Sequence, residues 1–322
     1  MRITGTFLDE ISFDIPHQNW GVKEWRRDFC AMKAIGIKRV FLIRAAHLNQ
    51  MVFPSKVISR TGVWHNPPVD LMDMFLDLAE EFDMEFFAGT WHSQKGNCVS
   101  WDEATFKREI QVNKELISEI QEKYGERKAF RGWYLTHEVC SNSPGTIELF
   151  DELGRYAKAI SGDKPTLISP YFAGVKSISA NDPKEWVLTL EAHIEHWAKI
   201  FSGLRGAVDI VAFQDGHVTL PELPDYLKAT KKLANENGIT LWSNIESFDR
   251  DMPIKFLPIK WEKFLWKMEA GDAAGIEEAI TFEFSHFMSP NSMYPSAHGL
   301  FDRYCEYCGI PAASESFASH GI

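Results

Sequence analysis

The sequence has 322 residues, 45% of them hydrophobic and 13% aromatic, so the chain can bury a large core and is not disordered. Its formal net charge of -11 at pH 7 disfavours nucleic acid and anionic membranes as partners, because both attract basic surfaces. No run of about 18 apolar residues is present, so we expect no membrane-spanning helix.

The chain begins directly with a predicted strand, and no charged leader precedes a long apolar region. We therefore expect a soluble protein, which is cytoplasmic as the sequence stands and periplasmic or secreted if a signal peptide precedes it. Five cysteines do not indicate a disulfide framework in a chain of this length. Cys305 and Cys308 resemble half of a zinc site, but no second pair of ligands lies nearby.

Eight alternations of an apolar strand and an amphipathic helix follow one another along the chain. The strands are apolar throughout instead of alternating, which is typical of parallel strands buried on both faces. No Gly-x-Gly-x-x-Gly turn follows any strand, so the pattern favours one α/β domain over residues 1–322, a (β/α)8 or TIM barrel, over an open doubly wound sheet. The predicted strands span residues 3–11, 39–46, 84–90, 130–139, 165–172, 208–213, 240–245 and 278–284. The predicted helices span residues 22–35, 68–82, 101–124, 143 or 144 to 160, 182–201, 223–235, 256–268 and 294–307.

Polar residues gather where the predicted strands end. In a (β/α)8 barrel the carboxyl ends of all strands meet at one mouth, where barrel enzymes place their active sites. The predicted substrate-binding residues are Arg44, Trp91, His92, His137, Tyr171, Gln214, Asp215, Trp242, Asn244, Glu283 and His286.

Two glutamates have the same place in their strands. Glu138 ends the fourth predicted strand, and Glu246 follows the seventh, so a closed barrel would place them on opposite sides of one mouth. Hydrolysis of a glycosidic bond requires such a pair: one carboxyl protonates the departing oxygen, and the other attacks the anomeric carbon or activates water. We predict a catalytic pair whose carboxyl groups lie about 5–5.5 Å apart, the spacing of retaining enzymes.

Aromatic residues near the strand ends would offer flat apolar faces to sugar rings. Trp91 and Trp242 are predicted to lie nearer the mouth than Trp133, which is expected to be in the core. Tyr171 and Phe248 are further candidates for such contacts. Tyr171, Asn244 or Gln214 is expected to form a hydrogen bond with one of the catalytic carboxylates, since an unsupported buried charge is costly.

Several segments resemble a bacterial family of uncharacterised domains placed among glycosidase-like barrels. The segments are Ile3-Thr-Gly-Thr-Phe7, Asn19-Trp20, Gly132-Trp-Tyr-Leu-Thr-His-Glu138 and Ser169-Pro-Tyr-Phe172. The strand-four and strand-seven glutamates also resemble a large glycoside hydrolase clan. That resemblance implies that Glu138 is the acid/base, that Glu246 is the nucleophile, and that configuration is retained. The clan usually has Asn before its acid/base to bind the sugar 2-hydroxyl, whereas this chain has His137.

The environments of the two glutamates are expected to separate their roles. A general acid needs a raised pKa to hold its proton, and a nucleophile must be ionised. Glu138, beside His137 in a hydrophobic strand, is predicted to be the acid, and Glu246, beside Asn244 and Ser247, the nucleophile.

Two other classes of function remain open. In a divalent-metal sugar isomerase or epimerase, mixed carboxylate and imidazole ligands would hold an ion such as Mn²⁺. In a non-catalytic carbohydrate-binding barrel, the aromatics would remain but the carboxyls would lie too far apart to react. The glycosidase hypothesis expects a carbohydrate substrate and no cofactor or metal, and it leaves the oligomeric state open. The candidate metal ligands of the isomerase hypothesis are Glu138, Asp215, His217, Glu246, Glu283 and His286.

Overall fold

Eight strands form a closed barrel in which every neighbouring pair is parallel. The computed structural model describes residues 1–12, 15–62, 67–93, 102–176, 187–251 and 256–311. The barrel contains β1, β2, β5, β7, β8, β9, β10 and β13, which confirms the predicted (β/α)8 fold. In chain order the strands are β1 (Ile3–Leu8), β2 (Arg39–Leu42), β3 (Ala46–His47), β4 (Gln50–Met51), β5 (Glu85–Gly89), β6 (Trp91–His92), β7 (Phe130–Tyr134), β8 (Thr166–Ile168), β9 (Ile210–Gln214), β10 (Thr240–Glu246), β11 (Phe248–Asp249), β12 (Leu257–Pro258) and β13 (Ala279–Phe282).

Three of the helices that follow barrel strands, α3, α4 and α6, begin at side chains that cap them. Asp70, Asp102 and Thr189 each accept a hydrogen bond from a backbone N–H in the first turn of the helix they precede. Among the described residues, no helix is both long enough and apolar enough to cross a membrane. The helices are α1 (Val22–Ala34), α2 (Lys56–Ser59), α3 (Leu71–Glu81), α4 (Glu103–Tyr124), α5 (Thr146–Ile160), α6 (Leu190–Leu204), α7 (Leu223–Glu236), α8 (Trp261–Ala273), α9 (Phe284–Phe287) and α10 (Pro295–Cys308).

The barrel has two apolar layers, one on each face of its strands. Between strands and helices, Trp25, Trp133 and Trp197 are fully buried in a large cluster, as the continuous apolar strands predict. Inside the barrel, a smaller cluster that includes Phe41 and Trp242 fills the interior. The interior is therefore a packed core that supports whatever lies at its two ends.

Short elements after the strands build the mouth of the barrel. β3, β4 and β6 form a small three-stranded sheet, and β11 pairs with β12 in an antiparallel ladder. The β11–β12 ladder also explains why the predicted start of the helix at residue 256 is wrong. Residues 257–258 are extended and pair with residues 248–249, so α8 begins at Trp261 instead of residue 256.

The sixth helix also begins later than its sequence pattern predicts. Thr189 has an extended backbone and caps α6, which starts at Leu190 instead of residue 182. The predicted residues 182–186 lie outside the described part of the chain. The other barrel helices start or end within a few residues of their predicted limits.

Gly89, the last residue of β5, lies against the backbone at the end of β2. A Cβ at this position would collide with the carbonyl oxygen of Leu42 and lie 2.9 Å from the amide nitrogen of Arg44. Neither is the end of a flexible side chain, so the backbone itself would have to move.

We expect Gly89→Ala to lower the free energy of unfolding by about 2 kcal/mol, because this overpacking has no free space to relax into. Gly299→Ala is the matched control, since nothing lies within 4 Å of the added Cβ and the residue is inside α10. That control should stabilise by about 0.5–1 kcal/mol through helix propensity. Urea unfolding of the three proteins provides the comparison, and equal stability of both variants would contradict the packing argument.

Candidate active site

A cavity of about 180 Å³ lies at the carboxyl ends of the barrel strands. Its wall is divided between polar and apolar side chains, which is typical of a site that binds an amphipathic ligand. The polar lining residues are Ser12, Arg44, His47, His92, Glu138, Ser169, Gln214, Asn244, Glu246 and Arg250. The apolar and aromatic lining residues are Phe7, Ile15, Ile43, Tyr134, Phe248, Phe256 and Phe282.

Glu246 is the last residue of β10, and its side chain is only 2% exposed. Arg250 donates from Nε to Oε2 at 2.7 Å and from Nη2 to Oε1 at 2.6 Å, a bidentate pair. Burial alone would raise the pKa of Glu246, but the charge and hydrogen bonds of Arg250 outweigh it and lower that pKa to about 2. Glu246 is therefore ionised at neutral pH.

A second buried ion pair holds the backbone of Glu246. Lys267 Nζ lies 2.6 Å from Asp215 Oδ1, and the same oxygen accepts a hydrogen bond from the Glu246 amide at 3.2 Å. Lys267 also donates to the Glu246 carbonyl oxygen at 3.3 Å. Burial raises the pKa of Asp215 to about 6, against the opposing charge of Lys267. Asp215 does not line the cavity. The sequence predicts that it contacts substrate, whereas in the structure it binds the backbone of Glu246.

Glu138 lies across the same cavity, four residues after the end of β7. Arg44 donates from Nη2 to Glu138 Oε1 at 2.9 Å and from Nη1 to Ser12 Oγ at 2.9 Å. The Glu138 side chain is 29% exposed, so it is the more accessible of the two glutamates. The structure thus brings both predicted glutamates to one cavity, each beside its own arginine.

Two histidines line the cavity in the neutral form. Burial lowers the pKa of His47 to about 4, and burial with the charge of neighbouring His137 holds the pKa of His92 well below its usual range. A neutral imidazole has one donor and one acceptor, which suits a sugar hydroxyl. Of these two residues, only His92 belongs to the predicted set.

His137 does not reach the cavity, although it precedes Glu138. Its side chain is fully buried, and Nε2 lies 3.1 Å from Glu109 Oε1. Its ring packs edge-on against His92, with 5.1 Å between the ring centroids. Glu138 therefore lines the cavity while the preceding His137 packs behind it, and the contact of His137 with a sugar hydroxyl stays a prediction.

Asn244 and Gln214 line the cavity but do not support the carboxylates in the expected way. The Asn244 amide donates to Ser169 Oγ at 2.9 Å, and the Gln214 amide donates to the Ser169 carbonyl oxygen at 2.9 Å. The ring of Tyr171 packs against His217 outside the cavity lining, with 5.0 Å between centroids. Arg250 binds Glu246 and Arg44 binds Glu138, whereas the amides of Asn244 and Gln214 bind Ser169.

Trp91 and Trp242 do not line the cavity, although the sequence predicts both near the mouth. Trp91 is buried in the layer between barrel and helices. Trp242 belongs to the interior cluster and lies under the guanidinium of Arg39, which opens β2 at the opposite end of the barrel. Side chains at alternate positions of β10 share the inward face, but residue 242 is deeper than 246. Phe248 is the predicted aromatic that lines the cavity.

Glu283 and His286 form a buried pair behind the cavity wall. Glu283 caps α9 and accepts hydrogen bonds from the His286 amide at 2.7 Å and from His286 Nδ1 at 2.6 Å. Burial opposes protonation of His286, but the charge of Glu283 prevails and raises the pKa of His286 to about 9. Neither residue lines the cavity, and their contact with substrate stays a prediction.

The ligand set of the metal-dependent alternative is not assembled. Glu246 and Asp215 are each bound to a cation, and Glu283 is bound to His286. Within the described ranges, no group of three or more His, Cys, Asp and Glu side chains is arranged to hold a metal ion.

Sequence reasoning missed several polar residues of the site: Ser12, His47, Ser169 and Arg250 in the cavity wall, and Lys267 behind it. The sequence could have indicated Arg250, because it lies only four residues after Glu246, just past the end of the seventh predicted strand. Lys267 lies in the middle of α8 and approaches Asp215 across 52 residues of sequence, so only the fold connects them.

Fold and cavity together define a (β/α)8 barrel with a cavity at its mouth, and solved structures with a similar fold include glycoside hydrolases. An endo-1,4-beta-D-mannanase from Thermotoga petrophila RKU-1 matches with a TM-score of 0.55 and 13% identity over 87% of each chain. The intracellular xylanase TsXylA from Thermoanaerobacterium saccharolyticum JW/SL-YS485 matches with a TM-score of 0.50 and 13% identity, over 86% of this chain and 84% of the xylanase. At these identities the likeness shows the fold alone.

The chain belongs to the DUF4434 family, a domain of unknown function, which matches residues 3–294. A structure from Bacteroides thetaiotaomicron VPI-5482, described as a candidate alpha-L-fucosidase, has 47% identity and a TM-score of 0.90. That match covers 96% of this chain and 94% of the Bacteroides chain. The comparison with curated proteins found no match.

Replacing Lys267 by Met should leave the Asp215 carboxylate buried without its cation. We expect a loss of about 3 kcal/mol in unfolding free energy at pH 7.5. An acid whose folded pKa is raised gains stability as pH falls, so the loss should be smaller at pH 5, where Asp215 is protonated. Urea unfolding at both pH values measures the difference.

Lys199→Met is the matched control, because Lys199 pairs with Glu195 on an exposed face of α6. Its effect should stay within about 0.5 kcal/mol at both pH values. If Lys267→Met behaves like this control, Lys267 does not stabilise Asp215.

Proposed function

We propose that this protein is a retaining glycoside hydrolase in which Glu246 is the nucleophile and Glu138 is the general acid/base. The observation that carries the proposal is that both glutamates line one cavity at the barrel mouth, and Arg250 keeps Glu246 ionised. An ionised carboxylate is the form that attacks an anomeric carbon. The more exposed Glu138 suits a group that exchanges protons with the leaving group and then with water.

The proposed reaction has two steps. In the first, a Glu246 oxygen bonds to the anomeric carbon while the glycosidic bond breaks and Glu138 gives its proton to the departing oxygen. In the second, Glu138 takes a proton from water, which attacks the same carbon and releases Glu246 as a carboxylate. Two inversions at one carbon restore the original configuration.

The cavity suits a single sugar residue. Its volume of about 180 Å³ is below the roughly 300–1,000 Å³ of sites that enclose drug-sized ligands. Neutral His47 and His92, with Gln214 and Asn244, can exchange hydrogen bonds with hydroxyl groups on one side. The phenylalanines of the other side offer apolar contact to the carbon face of the ring.

The Bacteroides relative makes alpha-L-fucosides the first substrates to test. Fucose is a 6-deoxy sugar, and its methyl group would gain from contact with Phe248, Phe256 or Phe282. A panel of aryl glycosides of fucose, rhamnose, xylose, mannose, galactose and glucuronic acid, in both anomeric forms, would identify the sugar. Absence of turnover on every member, with sugar binding retained, would support a non-catalytic carbohydrate-binding barrel instead.

Glu246→Gln should reduce kcat by at least roughly a thousandfold on every glycoside that the protein cleaves, because no covalent intermediate can form. Glu138→Ala should retain most activity with leaving groups that depart without protonation, and azide should attack its glycosyl-enzyme to give a glycosyl azide of retained configuration. Product configuration is read by NMR.

Glu195→Gln is the control, since Glu195 is an exposed residue of α6 and its replacement should leave kcat unchanged. A retained glycosyl azide from the Glu246 variant, with an inverted one from the Glu138 variant, would exchange the two roles. Full activity in both variants would refute the hydrolase proposal.

A further inference from the structure

Arg250 engages both oxygens of Glu246, so the pair has one fixed geometry. Donation from Nε and Nη2 in parallel fixes the plane of the carboxylate as well as its position. The guanidinium also lies over the ring of Phe248, 5.0 Å from its centroid. A lysine at this position would supply charge without that planar geometry.

Gly216 provides the space in which this pair lies. A Cβ at Gly216 would overlap Glu246 Oε2 and Arg250 Nε, and it would lie 2.6 Å from Arg250 Cδ. The backbone of Gly216 is outside the left-handed region, so its conformation does not require glycine. The ion pair packed over its Cα is therefore the reason that a side chain does not fit.

The segment that carries Arg250 is anchored on both sides of it. Asp249 accepts hydrogen bonds from Lys263 at 2.9 and 3.0 Å. Asp251 pairs with Lys263 at 2.9 Å and with Lys176 at 2.7 Å. These contacts hold the segment on both sides of Arg250. The Arg250 side chain therefore loses less conformational entropy when it pairs with Glu246.

We propose that Arg250 is a positioning residue for the glycosidase reaction: it orients the Glu246 carboxylate for attack and supplies its counter-charge. This inference rests on the proposed function. Each carboxylate oxygen has two lone pairs, so Arg250 can bind one of them while another remains for the anomeric carbon. Gly216 is part of the same device because it leaves room for the pair.

The charge balance of the first step assigns a task to each arginine. Before the step the negative charge is on Glu246, and Glu138 is protonated. Afterwards Glu246 is a neutral ester and Glu138 is the carboxylate, so one negative charge has crossed the cavity. Arg250 is bound to Glu246 and stabilises the charge at the start. Arg44, whose Nη2 lies 2.9 Å from Glu138 Oε1, stabilises the charge at the end.

The first test requires no turnover. Carboxyl-¹³C NMR of glutamate-labelled protein follows Glu246, whose signal is identified by its loss in Glu246→Gln. We expect Glu246 to remain ionised in the native protein to the lowest pH at which it stays folded. In Arg250→Met the burial of Glu246 is no longer opposed, so its pKa should rise by at least about 2 units.

Arg155→Met is the matched control. Arg155 also pairs with a carboxylate four residues away, Asp151, but it is exposed on α5 and outside the cavity. The Glu246 signal should titrate in this control as in the native protein. If the pKa of Glu246 is the same in Arg250→Met as in the native protein, the proposal is overturned, whether or not the protein cleaves glycosides.

The second test uses the pH profile of kcat/KM, which reports groups of the free enzyme. Arg250→Met and Gly216→Ala should both lower kcat/KM roughly a hundredfold and move its acidic limb to higher pH, because both disrupt the pair. Arg250→Lys should recover the acidic limb in part. Arg155→Met and Gly299→Ala should leave the profile unchanged.

The outcomes separate the two proposals. Turnover by native protein with an unchanged profile in Arg250→Met would overturn the role of Arg250 and leave the hydrolase proposal standing. Absence of turnover by native protein would refute the hydrolase proposal, while the NMR titration would still decide whether Arg250 holds Glu246. If Arg250→Met does not fold, Gly216→Ala and Arg250→Lys decide, since each keeps a cation at position 250.

Discussion

The site depends on one physical requirement: a carboxylate that is buried in the ionised form must be paired with a cation. Removing a charged group from water is costly unless hydrogen bonds and an opposite charge replace the hydration. Glu246 meets this requirement with Arg250, and Asp215 meets it with Lys267. Because Asp215 and Lys267 also bind the backbone of Glu246, the two pairs form one network that fixes both the main chain and the carboxylate. Such a network keeps a reactive carboxylate charged and rigid without exposing it to solvent.

Barrel geometry explains why residues far apart in sequence meet here. Parallel strands that close into a barrel turn alternate side chains inward, and the inward residues of neighbouring strands stack in layers. Along β10, Trp242 lies deep in the packed interior, Asn244 lies at the cavity floor and Glu246 reaches the mouth. The apolar layers below therefore support the polar layer above, which leaves function to the strand ends and the segments that follow them.

The sequence predicts the barrel and the two glutamates because both depend on local patterns. Continuous apolar runs show strands buried on both faces, and a carboxylate at the end of such a run is at the mouth once the barrel closes. Depth and direction are less local. For Trp242, the alternation of side chains predicts which face of the strand it is on but not its depth within the barrel. For His137, the strand pattern does not predict the direction of the side chain, because the chain leaves regular strand geometry after Tyr134. The Asp215–Lys267 pair joins a strand end to a distant helix, and no spacing rule connects them.

Each arginine that lines the described part of the cavity is bound to a glutamate. Arg44 is bound to Glu138 and Arg250 to Glu246, while His47 and His92 are neutral near pH 7. A carboxylate on the sugar would therefore have to compete with a glutamate for an arginine. An ammonium group would have to compete with an arginine for a glutamate. Under the proposed function, discrimination among sugars then depends on the directions of hydroxyl groups at the polar wall and on the fit of apolar carbons against the phenylalanines. The same proposal places the selectivity of the site in uncharged contacts, and leaves its ion pairs to hold Glu138 and Glu246.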